Sequence, residues 1–305
     1  MNEETRAAPT PVGAGVRALV LALFFASGFA ALVYEVVWLR LLTQVVGSTV
    51  YAVSAVLAAF MGGMALGAAL FGRWVDKRRD AIRVYAALEL GVVVCVLAVP
   101  YALRFVVGPM YGVLFRALGP GHAALLPTRF IMSVLVLLVP TALMGGTLPV
   151  MARFLARSPA RVGITVGALY AVNTFGAVAG SFLGGFVLLP AFGLSRSTAI
   201  AAAATLVSAL GALAIWRLVQ RRAHDLPPPE PGPAPASEPP LEAAPGPQLN
   251  PRQQRFVLVL FGISGLTALA YEVVWTRLLV FFIPNSVYAF AMMPVSYTHL
   301  TLPTN

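Results

Sequence analysis

The stretch SGFAALVYEVVWLRLL at residues 27–42 returns as SGLTALAYEVVWTRLL at residues 264–279, and this repetition decides the architecture. Tyr34, Glu35, Trp38 and Arg40 have counterparts in Tyr271, Glu272, Trp275 and Arg277. The match runs on weakly through Val50-Tyr51-Ala52 against Val287-Tyr288-Ala289. Apolar composition alone gives scattered Leu and Val matches, whereas an ordered Tyr-Glu-Val-Val-Trp run with an Arg two residues later points to duplication.

Both copies lie in apolar segments, and the chain between them is built the same way. Hydrophobic residues make up 59% of the 305 and charged ones only 10%, with a mean hydropathy of +0.84. A soluble domain runs about 45–50% apolar and about 25% charged. Lipid is the solvent that suits this composition, since about 20 apolar residues in a helix cross the hydrocarbon core. Hydropathy places spans at 16–39, 49–71, 82–107, 130–152, 162–189 and 197–219. The fifth is long enough to tilt. The first is longer than the apolar region of a cleavable leader and passes straight into more membrane, so no such leader is expected.

Six spans separate the two copies. Six is an even number, so both copies enter the bilayer in the same direction. Parallel six-helix halves joined by a linker are the architecture of major facilitator transporters. The expectation is an all-α membrane protein, a six-helix half bundle of that kind plus the first helix of a second half.

The cations set the orientation. Arg73, Lys77, Arg78, Arg79 and Arg83 follow the second span, and Arg153, Arg157 and Arg161 the fourth. Arg217, Arg221, Arg222, Arg252 and Arg255 follow the sixth, and Arg6 and Arg17 precede the first. The other side holds Arg40, Arg104, Arg116, Arg129, Arg196 and Arg277. Cytoplasmic loops carry the excess of Lys and Arg, which puts the N-terminus in the cytoplasm and the protein in the inner, plasma membrane. The net charge of +10 is then a topology signal, and no nucleic-acid partner is expected.

The organisation reads as a cytoplasmic tail (1–15), a six-span unit (16–222), a Pro-rich linker (223–254), the start of the second repeat (255–293) and a tail (294–305). The linker, with PPPEPGPAPASEPPLEAAPGPQ, is too poor in apolar residues to bury a core and reads as extended and solvated. From Pro294 the chain reads PVSYTHLTLPTN, where the first copy runs on as LAAFMGGMALGAALFG from Leu57. This ending resembles translated adapter read-through, and the natural protein is expected to continue.

The repeat, GSTVYAVSAVLAAFMGGMALGAALFGRWVD at 47–76, PTALMGGTLPVMARF at 140–154 and LYAVNTFGAVAGSFLGGFVLLPAFGL at 169–194 resemble the membrane portion of fused major-facilitator/spermidine-synthase proteins. The likeness covers residues 24–293 apart from the linker. It implies a multi-span region followed by a soluble Rossmann-like domain similar to aminopropyltransferases, and a small cationic solute or polyamine as the species handled. No Gly-rich strand–helix turn with a downstream acidic residue occurs in the chain, so any spermidine-synthase activity belongs to a domain missing here, and no cofactor is expected. Gly72, Asp76, Lys77 and Arg78 resemble the transporter signature of the second-to-third loop, although Arg79 stands where a glycine is usual. Asp76 either pairs with a basic residue to latch the cytoplasmic ends or belongs to a plain positive anchor.

Three carboxylates fall inside spans: Glu35, Glu89 and Glu272. A charge at mid-bilayer costs roughly 3 kcal/mol on insertion scales and marks a partner, a cavity or a translocation path. Each could bind a cation or a proton; equally, Glu35 could pair locally with Arg40 and Glu272 with Arg277. Trp38 and Trp275 read as belt anchors at the headgroup level. Tyr34 could hydrogen-bond in a cavity or locally, and Tyr170 and Asn173 are candidates for a cavity lining. Gly176, Gly180 and Gly184, with Gly163 and Gly167 upstream, form a small-residue face suited to close helix packing. Pro140 and Pro149 around Gly145-Gly146-Thr147 predict a kinked or locally unwound fourth span. His122 is a lone loop histidine. No metal-ligand spacing, nucleophile–base pair or phosphate loop is present in the sequence, so no catalytic residue is assigned.

Overall fold

The computed structural model of the chain describes residues 13–46, 49–78, 80–156, 159–225 and 250–282. The N-terminal tail, Arg79, Arg157, the interior of the linker, the Val287-Tyr288-Ala289 continuation of the repeat and the 294–305 tail lie outside the described residues. Among those described, the secondary structure is all helical. The elements are α1 (Ala14–Val46), α2 (Thr49–Val75), α3 (Ala81–Ala102), α4 (Gly108–Leu118), α5 (Leu125–Leu155), α6 (Pro159–Leu183), α7 (Leu189–Asp225) and α8 (Pro251–Phe282). A π-helical turn, Leu103–Val107, joins α3 to α4, and another, Gly184–Leu188, joins α6 to α7. The first follows Pro100, whose missing N–H breaks the regular ladder.

Among the described residues, six helical stretches are long and apolar enough to cross a membrane. One of them, Val162–Arg221, runs for 60 residues, about 90 Å if straight and three times the hydrocarbon thickness. It is not straight. Gly193 has φ 69° and ψ −177°, a region essentially confined to glycine. Packing shows that the chain reverses there. Gly176, Gly180 and Gly184 of α6 meet Phe25, Phe29 and Val33 of α1 in rising order, so these helices run parallel. On α7, Thr205 bonds Tyr34 while Ser208 bonds the Leu23 carbonyl, so α7 runs antiparallel to α1.

The same logic fixes the other neighbours. Gly63 and Gly67 of α2 press on Thr141 and Ala142 of α5, and Gly72 reaches Pro149, a parallel pair. Thr141 Oγ1 donates across this seam to the Ala59 carbonyl at 2.8 Å. Ser27 of α1 bonds Glu89 of α3, and Phe24 packs on Tyr85, again in parallel order. Helices of one direction thus alternate with helices of the other, as a chain that repeatedly crosses a bilayer requires.

Burial is inverted relative to a water-soluble protein. Val94, Ile164, Leu258 and Phe261 are 68%, 72%, 70% and 80% exposed, and such residues cover the outside. A soluble monomer rarely exposes contiguous apolar patches beyond a few hundred Å². Inside are two separate apolar clusters. One gathers Val33, Trp38, Phe60, Val96 and Leu137; the other gathers Val20, Phe24, Ile82, Val150, Met151 and Ile215.

Several expectations are corrected. The helices run past the apolar stretches read from hydropathy: α1 reaches Val46 and α5 begins at Leu125. At the linker, α7 continues to Asp225 and α8 starts at Pro251. The fourth span is not unwound, and Leu125–Leu155 is one α-helix with both prolines inside it. Thr141 Oγ1 bonds the Leu137 carbonyl, Thr147 Oγ1 bonds the Met144 carbonyl, and Gly145 and Gly146 are pressed against Met64 and Phe71. Trp38 is not an interfacial anchor. It is 1% exposed, stacked on Tyr34 at 5.8 Å and tilted against Phe60 at 5.7 Å.

Candidate functional site

Buried polar side chains collect where the two apolar clusters part. From α3, Glu89 is 2% exposed and accepts a hydrogen bond from Ser27 Oγ of α1 at 2.7 Å. Tyr85, one helical turn before Glu89, is fully buried and lies among Glu89, Ser27 and Ser208. Its hydroxyl makes no hydrogen bond of regular geometry among the described residues. Tyr34 Oη of α1 and Thr205 Oγ1 of α7 are 2.9 Å apart. Three helices therefore share one polar layer. Helix packing in lipid gains from such bonds, because there is no hydrophobic drive between helices.

Glu35 belongs to a second group. It is 4% exposed and sits five residues past Ala30, the middle of Ala14–Val46, about 8 Å along the axis. That is well inside a hydrocarbon half-thickness of about 15 Å. Its local alternative fails, since Glu35 forms no ion pair with Arg40, which is exposed. The charged group that bears on it is its own repeat counterpart, Glu272 of α8. Glu272 is partly buried, Val273 beside it packs on the core, and Thr276 one turn on is 3% exposed and donates to the Glu272 carbonyl. The Arg277 side chain lies outside the described residues. The structure thus brings the two repeat carboxylates into mutual electrostatic range, with no buried Lys or Arg among the described residues to neutralise them.

The remaining candidates are spread out. Asn173 of α6 abuts Gly28 of α1, where an added Cβ would meet Asn173 Oδ1 at 2.7 Å. Gly176, Gly180 and Gly184 continue that seam, while Gly163 and Gly167 face open space. Tyr170 is 63% exposed. At the opposite end of the fold, Gly72 is half-buried and Asp76, Lys77 and Arg78 are exposed. Asp76 pairs with Arg153 of α5 at 3.5 Å, and Arg153 also donates to the Asp76 carbonyl at 3.1 Å. With both side chains substantially exposed, such a pair is worth at most about 1 kcal/mol. Arg78 covers Trp74 at 4.4 Å, and Arg83 covers Trp216 at 4.6 Å.

Sequence reading missed Ser27, Tyr85, Thr205 and Ser208. Single hydroxyls in apolar helices carry no periodic signal. The spacing of Tyr85 and Glu89, four apart on one face, and the place of Ser27 at the head of the repeat were the available clues. No group of three or more His, Cys, Asp or Glu side chains fit to hold a metal ion occurs among the described residues.

Fold and site together define a multi-pass helical membrane protein with carboxylates buried between its helices. Comparisons with protein-family models, with curated proteins and with solved structures gave no match.

Proposed function

We propose that this chain is the membrane portion of a protein resembling the fused major-facilitator/spermidine-synthase family, and that it handles a small cationic solute of polyamine type. Its N-terminus lies in the cytoplasm. The observation that carries this reading is the approach of Glu35 and Glu272, equivalent residues of the two repeats. Two carboxylates brought together in a low dielectric repel unless a proton neutralises one of them or a cation lies between them. A di- or triamine supplies ammonium groups at both ends of an apolar chain, which suits two carboxylates set between apolar helices.

The test is equilibrium binding of radiolabelled spermidine to the purified chain in lipid nanodiscs, with a neutral polyol of similar length as control. Wild type should bind spermidine saturably and ignore the polyol. Glu35→Gln and Glu272→Gln should each weaken binding. Losing one charge-assisted contact costs about 1.5–3 kcal/mol, roughly a ten- to hundredfold rise in Kd. Absence of saturable binding by wild type, or equal affinity in the double variant, defeats the proposal.

A further inference from the structure

The polar layer around Glu89 is separate from the pair formed by Glu35 and Glu272, and it carries an inference that does not rest on the solute reading. We propose that Glu89 is a proton-binding site whose neutral carboxyl group locks α1, α3 and α7 together, and whose deprotonation loosens that contact.

The argument starts from neutralisation. A buried carboxylate must be paired, or it takes up a proton. Around Glu89 lie Ser27 and Tyr34 from α1 and Tyr85 from its own helix, with Thr205 of α7 against Tyr34 and Ser208 of α7 by Tyr85. None is a cation. The titratable side chains of α5, which also packs on α3, are Arg129 and Arg153, near its two ends. Apolar clusters close the layer above and below: Phe24, Val20 and Ile215 on one side, Val33, Trp38 and Val96 on the other.

The choice between a proton and a metal ion follows from the contacts. A hard cation takes about six oxygen ligands, whereas Glu89 has one hydrogen-bond partner at close range, Ser27 Oγ. A proton needs only one acceptor. Tyr85 Oη, buried beside the carboxyl group and making no hydrogen bond of regular geometry among the described residues, is that acceptor. With the proton present, Glu89 receives from Ser27 and donates to Tyr85, and the three helices are joined by neutral hydrogen bonds. Without it, a charge held only by neutral hydroxyl groups remains between two apolar clusters, and water must enter for it to persist.

Infrared difference spectroscopy on the intact chain in nanodiscs tests this, comparing wild type with Glu89→Gln in H2O and D2O across a pH series. At neutral pH, wild type should show the carbonyl stretch of a protonated acid that Glu89→Gln lacks, and it should move on deuteration. Ser27→Ala should shift that band without removing it. Once the pH is raised until the band vanishes, amides of α1, α3 and α7 should exchange roughly tenfold or more faster in wild type than in Glu89→Gln at the same pH. The proposal is overturned by a neutral-pH spectrum without the band, by a band that Na+ concentration removes at fixed pH, or by a band unmoved in Ser27→Ala. The last comparison stands even where Glu89→Gln fails to fold.

Discussion

Replacing Gly180 by alanine sets two opposed effects against each other on one helix, and the structure says which wins. Alanine is the better helix former by about 1 kcal/mol, so an uncrowded glycine should tolerate or welcome the change. Gly180 is crowded. A Cβ there would run into the Phe29 carbonyl oxygen and stand 2.8 Å from its carbon and 2.9 Å from its Cα. Those atoms are backbone of α1 and cannot rotate away, so the two helices must separate by about an ångström, and the van der Waals wells along the seam lose a quarter to a half of their depth. Overpacking of this kind costs about 1–3 kcal/mol, which the propensity gain of about 1 kcal/mol offsets only in part. We expect Gly180→Ala to destabilise by up to about 2 kcal/mol net and Gly163→Ala, on the same helix with nothing within 4 Å, to be neutral or slightly stabilising. Equilibrium SDS unfolding from mixed micelles, followed by tryptophan fluorescence, gives both values. Equal shifts in the two variants would refute the idea that α6 is held to α1 through its glycines.

Two further outcomes follow from single contacts. Tyr34→Phe removes the buried bond to Thr205 and should cost about 0.6 kcal/mol, and less than about 2, in the same unfolding assay. Thr205→Val, which also removes the hydroxyl's bond to the Ala201 carbonyl, should cost at least as much, and the double variant no more than Thr205→Val alone. Gly193→Ala places a Cβ on a backbone with φ 69° and should cost about 1–3 kcal/mol, although nothing lies within 4 Å of the site; a neutral result would mean that the reversal between α6 and α7 does not use that conformation.

How much of this was legible beforehand depends on the kind of signal. The crossings were, because bilayer-length apolar runs and one-sided arginines are statements about solvent, and solvent acts on each segment separately. The repeat flagged Glu35 and Glu272 as equivalents, but not that they approach one another, since that depends on where α8 settles. Trp38 was misjudged for a related reason. Its nearness to Arg40 suggested a helix end, whereas α1 continues to Val46 and buries the indole between Tyr34 and Phe60. The prolines of α5 misled because proline reports a lost hydrogen bond, while the threonine bonds and the pressure from α2 that keep the helix intact are tertiary. The Ser27–Glu89 contact spans 62 residues, and no local pattern encodes it.

The seating of α8 has its own consequence. None of its most apolar stretch is buried by the rest of the chain, and its inward contacts fall near its C-terminal end, at Val273 and Thr276. In water such a helix would peel away. Its bearing on α1 and α2 is set by a few residues near one end, so the nearness of Glu272 to Glu35 hangs on the seating of Val273 and Thr276.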